Sequence, residues 1–255
     1  MNTEKTLVYK DMININYFEC DFRNHWKPSA IFQHLTETAG RHADKLGFGI
    51  EKMAVHNLFW VHSRMKIKFF HFPSGDDKVI INTWPKTIQQ KLFYIRDFEV
   101  FDAHEQKIVA ATSAWLIIDA TTRRMVSPHS LQLGLPEFPD RKGLDEPLEK
   151  INMNGDGKEK LEITAGYSAV DIVGHVNNSR YIEWICDCFP MDAYREKELD
   201  WLQINYEHEV KPGEKVSILI NDLDDESDMC MVEGINRSCD NRAFTAIVHW
   251  TNTFK

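Results

Sequence analysis

Two stretches of the chain alternate apolar and polar residues with the period of two that half-buried strands require. The first holds LFWVHSRMKIKFF (58–70), KVIINTWPKTI (78–88), LFYIRDFEVF (92–101) and KIVAATSAWLIID (107–119). These segments are rich in β-branched and aromatic residues. Turn signals such as Pro73-Ser74-Gly75-Asp76 and Asp102-Ala103-His104-Glu105 separate them. Short connections of this kind predict an antiparallel sheet. Upstream the period lengthens: Ile31, Leu35, Ala39, Ala43 and Leu46 recur at helical spacing between Ser29 and Leu46, and Gly47 follows as a stop. At ~1.5 Å per residue this helix is about 25 Å long, enough to cross a sheet.

The plan then recurs. KLEITAGYS (160–168) reads as a strand and is followed by a loop. A helix from Asn178 to Phe189 comes next, with Tyr181, Ile182, Ile185, Cys188 and Phe189 on its apolar face and Pro190 at its end. Strands are predicted in 201–210, 215–223, 229–237 and 243–254. A repeated order of strand, loop, helix and strand meander predicts an internal duplication. Segment 131–159 is rich in Pro, Gly and charge. The expected division is a first domain at 1–135, a linker at 136–159 and a second domain at 160–255. Periodicity alone establishes an α+β chain with antiparallel sheets.

Composition removes several function classes. A net charge of −9 argues against nucleic acid as a partner. It also requires a local basic patch for any acidic partner, for which Arg64, Lys66, Lys68, Arg123 and Arg124 are the candidates. Five cysteines without a CxxC pair exclude a disulfide framework as the expectation. The opening MNTEKTLVYK has no apolar signal core, and no apolar run approaches the ~20 residues of a membrane span. A cytoplasmic protein is expected. No phosphate-binding glycine loop, G-x-S-x-G elbow or H-E-x-x-H motif occurs. The acidic run NDLDDESD (221–228) lacks the glycine of a calcium loop and reads as a solvated hairpin. No metal or cofactor is expected.

The stretch that can carry chemistry is YSAVDIVGHVNNSRYIEW (167–184). Asp171 and His175 sit in a glycine-containing loop that feeds the second helix. The residues at the helix start are Gly174, Val176, Asn177 and Asn178. Free N–H groups at a helix N-terminus suit a developing oxyanion, and Asn177 or Asn178 can cap the helix. An acid, an imidazole and a helix start within eight residues can serve acyl transfer. The same spacing also fits a loop histidine held by a nearby aspartate.

DIVGHVNNSRYIEW resembles the acyl-acyl-carrier-protein thioesterase signature D-x-N-x-H-V-N-N-x-x-Y-x-x-W. PSAIFQHLTETAGRHADKLGF, LFWVHSRM, INTWP, RDFEVFD, SAWLIIDATTRRM and INYEHEVKPGEKV resemble further family segments in the same order. The resemblance implies a double hotdog, each half a sheet wrapped around a long helix. It implies hydrolysis of the thioester of acyl-acyl-carrier protein, releasing free fatty acid in fatty acid biosynthesis. The partner would be the carrier protein with its phosphopantetheine-linked acyl chain, and the chain a monomer or homodimer. It places the catalytic acid on Asp171, the histidine on His175 and the glutamate on Glu209. It implies Asp171 as nucleophile or as base for water, His175 as a proton relay and Glu209 as the group orienting water or His175. Val173 stands where the family has Asn, and Ala169 where a second acid often occurs. The alternatives are an acyl-coenzyme A thioesterase, a catalytically weak acyl-binding protein because of Val173, and a hotdog dehydratase. Aligning Ser29 with Asn178 sets Phe22 against Asp171 and Trp26 against His175. On that alignment the first half lacks the acid and the imidazole and serves acyl-chain binding through Ile31, Leu35 and Ala39. His208 is expected to face away from Glu209 by strand alternation.

Overall fold

A computed structural model describes residues 7–128, 134–153, 157–222 and 228–252. The chain forms two compact units, one ending at Leu148 and the other beginning at Glu149. The first contains β1 (Tyr9–Asn14), α1 (Pro28–Lys45), α2 (Ile50–Val55), β2 (Leu58–Phe69), β3 (Lys78–Gln89), β4 (Phe93–Phe101) and β5 (Lys107–Asp119). Its antiparallel strands lie in the order β1-β3-β4-β5-β2. The second contains β6 (Lys158–Thr164), α3 (Asn178–Asp187), α4 (Met191–Glu196), β7 (Lys197–Tyr206), β8 (Lys215–Asp222), β9 (Met229–Asn236) and β10 (Asn241–Asn252). Its order is β6-β8-β9-β10-β7, the topology of the first unit repeated strand for strand. Each unit is a hotdog, a curved sheet with one long helix packed on it. No described helix is long and apolar enough to cross a membrane.

Helix α1 begins with Pro28 at its first position, where the missing N–H costs nothing, and ends before Gly47 at φ +83°. Its buried face carries Ile31, Phe32, Leu35, Ala39 and His42. That face meets the sheet where Arg96 of β4 bonds the His42 ring at 3.0 Å and Phe32 stacks on His62 of β2. The opposite face of the sheet is covered by the first part of the expected linker. Gly143 N–H and Lys86 Nζ, each at 2.7 Å, bind one oxygen of the buried Asp97 carboxylate, and Thr112 donates to the other at 2.8 Å. Arg141 reaches Glu99 at 2.6 Å and lies over the Trp84 ring. Residues 134–148 are therefore a strap on the first sheet. Residues 131–133 and 154–156 of that segment lie outside the described residues, as do 223–227 of the acidic run.

Five elements differ from the sequence pattern. Strand β1 and the short helices α2 and α4 carry too few residues to show a period. The strand expected at 160–168 ends at Thr164, because Tyr167–Ala169 tightens into a 3-10 turn. The strand expected at 201–210 ends at Tyr206, because the chain leaves the sheet there and Val210 bonds the loop at Val176 instead.

His62 is fully enclosed, with its ring parallel to that of Trp115 at 4.1 Å. Burial pushes its pKa down to about 3, so the folded chain holds it neutral. Between the ordinary value of 6.5 and about 3, the unfolded chain binds a proton that the folded chain does not. Stability contributed by neutral His62 is present above pH 6.5 and is lost as pH falls through that window. His62→Phe is expected to move the acid-unfolding midpoint, followed by circular dichroism, to lower pH.

Candidate active site

The loop between β6 and α3 is built by backbone bonds around one carboxylate. Asp171 N–H donates to His175 C=O at 2.8 Å, and Gly174 N–H donates to Asp171 C=O at 3.1 Å. Gly174 sits at φ +85°, a conformation that a residue with a Cβ rarely adopts. Asp171 Oδ1 accepts from the amides of Val173 at 2.9 Å and His175 at 3.3 Å. Among the described residues no donor meets Asp171 Oδ2. The carboxylate is thus fixed by one oxygen and presents the other.

Asn177 caps α3: its Oδ1 accepts from the Ser179 amide at 2.9 Å and the Ser179 hydroxyl at 2.7 Å. The amides of Gly174, Val176 and Asn177 are already donated, to Asp171, Val210 and Ala169. Of the four helix-start residues expected to serve an oxyanion, Asn178 alone keeps an undonated N–H, while its carbonyl accepts from the Tyr206 hydroxyl at 3.0 Å. Val173, 65% exposed, contributes only its amide.

His175 and Glu209 come together, with Nε2 3.3 Å from Oε2. Glu209 follows β7, and its neighbour Val210 fixes it. The Val210 carbonyl accepts from Val176 N–H at 2.9 Å, and its backbone also bonds the phenol of Tyr181 on α3. Burial pushes the Tyr181 phenol well up, and the charges of Glu209, Asp171 and Glu214 push it further, so it stays protonated. Tyr181 is the site residue that the sequence reading passed over as core. The signal for it was its place one helical turn past Asn177. Glu214, held below the usual carboxylate range by the Lys211 amide, supplies a further negative charge near His175. His208 bonds the Arg242 carbonyl. Among the described residues no three metal-ligating side chains converge.

Elsewhere the expected residues fall as follows. Ile31, Leu35 and Ala39 are 0%, 0% and 5% exposed and belong to the core of the first unit. Lys68 pairs with Glu146 at 3.6 Å, Lys66 acts on the same carboxylate, and Arg64 reaches the Leu148 carbonyl. These three expected carrier-facing cations are therefore engaged by the end of the strap. Arg123 lies over the Phe59 ring, and Arg124 is exposed.

The alignment of Ser29 with Asn178 is overturned. The matching hydrogen bonds run at an offset of 150, so Asp21 stands with Asp171 and His25 with His175. Asp21 N–H donates to His25 C=O at 2.8 Å, as Asp171 does to His175. The first unit does repeat the acid and the imidazole. A one-residue slip hid them, because Pro28 and Asn178, the first residues of the two helices, share no chemistry.

A family model for the acyl-ACP thioesterase N-terminal domain matches residues 6–129, and one for its C-terminal domain matches 154–252. The chain belongs to the acyl-ACP thioesterase family. The chain is 26% identical to the oleoyl-acyl carrier protein thioesterase of Coriandrum sativum, over 92% of the chain and 68% of the relative. It is 28% identical to an acyl-[acyl-carrier-protein] hydrolase of Cuphea viscosissima, over 80% of the chain, and spans about half of that relative's length (51%). An acyl-ACP thioesterase structure from Bacteroides thetaiotaomicron superposes with TM-score 0.82 at 28% identity, covering 98% of this chain and 100% of that one. The 12:0-ACP thioesterase of Umbellularia californica shares the fold, with TM-score 0.84 at 20% identity over 97% of this chain and 98% of that one.

Removing the Tyr181 phenol leaves the Val210 backbone short of a bond worth about 1 kcal/mol. Tyr181→Phe is expected to lower thermal stability by that order. It should also reduce thioester turnover several-fold with little change in KM, measured by steady-state kinetics.

Proposed function

We propose that this protein hydrolyses the thioester of acyl-acyl-carrier protein, releasing the free fatty acid and ending chain elongation in fatty acid biosynthesis. The observation that carries this reading is the open Oδ2 of Asp171 beside the His175–Glu209 pair at the start of α3. Family membership and the names of the relatives support the substrate class.

The chemistry follows from which atoms are free. Asp171 Oδ1 is held by two amides, which orients the carboxylate, and Oδ2 attacks the thioester carbonyl. The oxyanion that forms lies within the reach of the undonated Asn178 N–H and the positive end of α3. Collapse breaks the C–S bond, and the leaving thiolate takes the proton carried by the His175 imidazolium, which Glu209 stabilises. Water then attacks the acyl carbon of the mixed anhydride and gives its proton to His175. The C–O bond to Asp171 breaks, leaving the fatty acid, the free carboxylate and the starting imidazolium. Water and thioester are consumed, and acid and thiol are formed. Tyr167 and Ile172, 99% and 90% exposed beside the turn, give the apolar part of an incoming arm a surface to lie on.

Asp171→Ala is expected to lower turnover of a panel of acyl-carrier-protein thioesters of graded chain length by at least about a hundredfold, as loss of a nucleophile does. Retention of wild-type turnover would exclude the assignment. Quenching the wild-type enzyme with hydroxylamine should yield a hydroxamate at Asp171, located by peptide mass spectrometry. Its absence while turnover continues would replace the covalent step by direct attack of water. The same panel on acyl-coenzyme A tests the carrier.

A further inference from the structure

The repeat of the reactive turn in the first unit extends well beyond one acid and one imidazole. Ile15 N–H bonds Asp77 C=O at 3.0 Å, and Ala165 bonds Glu214 at 2.9 Å. Asn24 bonds Asp21 at 3.0 Å, and Gly174 bonds Asp171 at 3.1 Å. Trp26 bonds Pro73 at 2.8 Å, and Val176 bonds Val210 at 2.9 Å. Lys27 bonds Glu19 at 2.9 Å, and Asn177 bonds Ala169 at 2.8 Å. Asn24 takes φ +62° where Gly174 takes φ +85°. Asp21 Oδ1 accepts from the amides of Arg23 at 2.8 Å and His25 at 2.9 Å, the same two-amide hold that fixes Asp171.

Three side chains then depart from the second unit, and each falls on a reactive atom. The Arg23 guanidinium meets Asp21 Oδ2 through Nε and a terminal nitrogen, both at 3.3 Å. Val173 in the same place leaves Asp171 Oδ2 open. Pro28 has no N–H where Asn178 has its undonated one. Phe72, which precedes Pro73 as Glu209 precedes Val210, stacks its ring on His25 at 5.8 Å and 3° where Glu209 sets a carboxylate. It is 7% exposed.

We propose that the first unit carries a second copy of the thioester-cleaving site, shut at Arg23, Pro28 and Phe72, and that the residue at 23 or 173 decides whether the turn's carboxylate can react. The proposal rests on the reading of Asp171 as the reactive carboxylate. It gives Val173, where the family signature has Asn, a positive role: a side chain too short and apolar to occupy Oδ2.

The test exchanges the differences and reads hydrolysis of the same acyl-carrier-protein panel. Val173→Arg should place a guanidinium on Asp171 as Arg23 does on Asp21. Turnover should fall by roughly tenfold or more, and the acid limb of the pH–rate profile should move to lower pH by about one unit or more, as a cation beside a carboxylate requires. The uncharged Val173→Leu should lose less and leave the limb in place. In the complementary arm, Arg23→Val with Pro28→Asn and Phe72→Glu is added to Asp171→Ala. It should raise hydrolysis above Asp171→Ala alone, and further addition of Asp21→Ala should abolish the gain. Val173→Arg with wild-type turnover and an unmoved acid limb overturns the proposal, and this arm decides should the buried Phe72→Glu change prevent folding. A folded unlocked variant with no gain, or a gain that survives Asp21→Ala, also overturns it. Wild-type turnover in Asp171→Ala alone would instead overturn the assignment under Proposed function.

Discussion

The site depends on one aspartate oxygen accepting two backbone amides. Without that hold, the amides of Val173 and His175 lose their acceptor, and the glycine-turned hairpin at the start of α3 is left to its backbone bonds alone. The interaction belongs to the general class of aspartate turns in which a side chain replaces a backbone acceptor. Its use twice in the chain shows that it is first a folding device. On the proposed reading, chemistry is added where the second oxygen is left without a donor and an imidazole is given a carboxylate partner. A catalytic role for an aspartate in such a turn is therefore argued from its unused atom, since the used one is present in a silent copy.

The third group arrives by a different route. Glu209 is placed by the point at which β7 ends, and that point is set by competition between the sheet and the loop for the Val210 backbone. Val176 and Tyr181 win it, drawing the chain off the sheet just before the glutamate. The phenol of Tyr181, buried and kept protonated by its acidic surroundings, thus acts on the acid–imidazole pair through backbone geometry.

Much of this was legible in the residues. The strands at 58–69, 78–89, 93–101 and 107–119 were legible in their β-branched and aromatic runs, although β4 and β5 are buried on both faces, with long runs of consecutive buried residues where the helix covers one side and the strap the other. The family resemblance of 167–184 pointed to Asp171 and His175, and that of INYEHEVKPGEKV to Glu209. What could not be read was governed by groups that carry no period. Whether a loop amide is free or donated is a matter of tertiary bonds, so the sequence counts four donors at the helix start where Asn178 alone is unused. Chain composition marked 136–148 as a linker, yet Arg141 meets Glu99, the Gly143 amide meets Asp97 and Glu146 meets Lys68. The second acid–imidazole turn escaped because one residue of misalignment separates histidine from tryptophan, and only hydrogen-bond partners, which sequence does not display, fix the register.

The strap has a consequence for how the chain can be divided. Asp97 sits at full burial among strands β3 to β5, and one of its oxygens depends on Gly143 and Lys86 together. Cutting where composition thins, near residue 135, would uncover that carboxylate and leave Trp84 and Glu99 facing water without Arg141. The edge of the first unit is thus electrostatic, fixed by where the last internal counter-charge lies, and any fragment meant to stand for that unit has to run through Leu148.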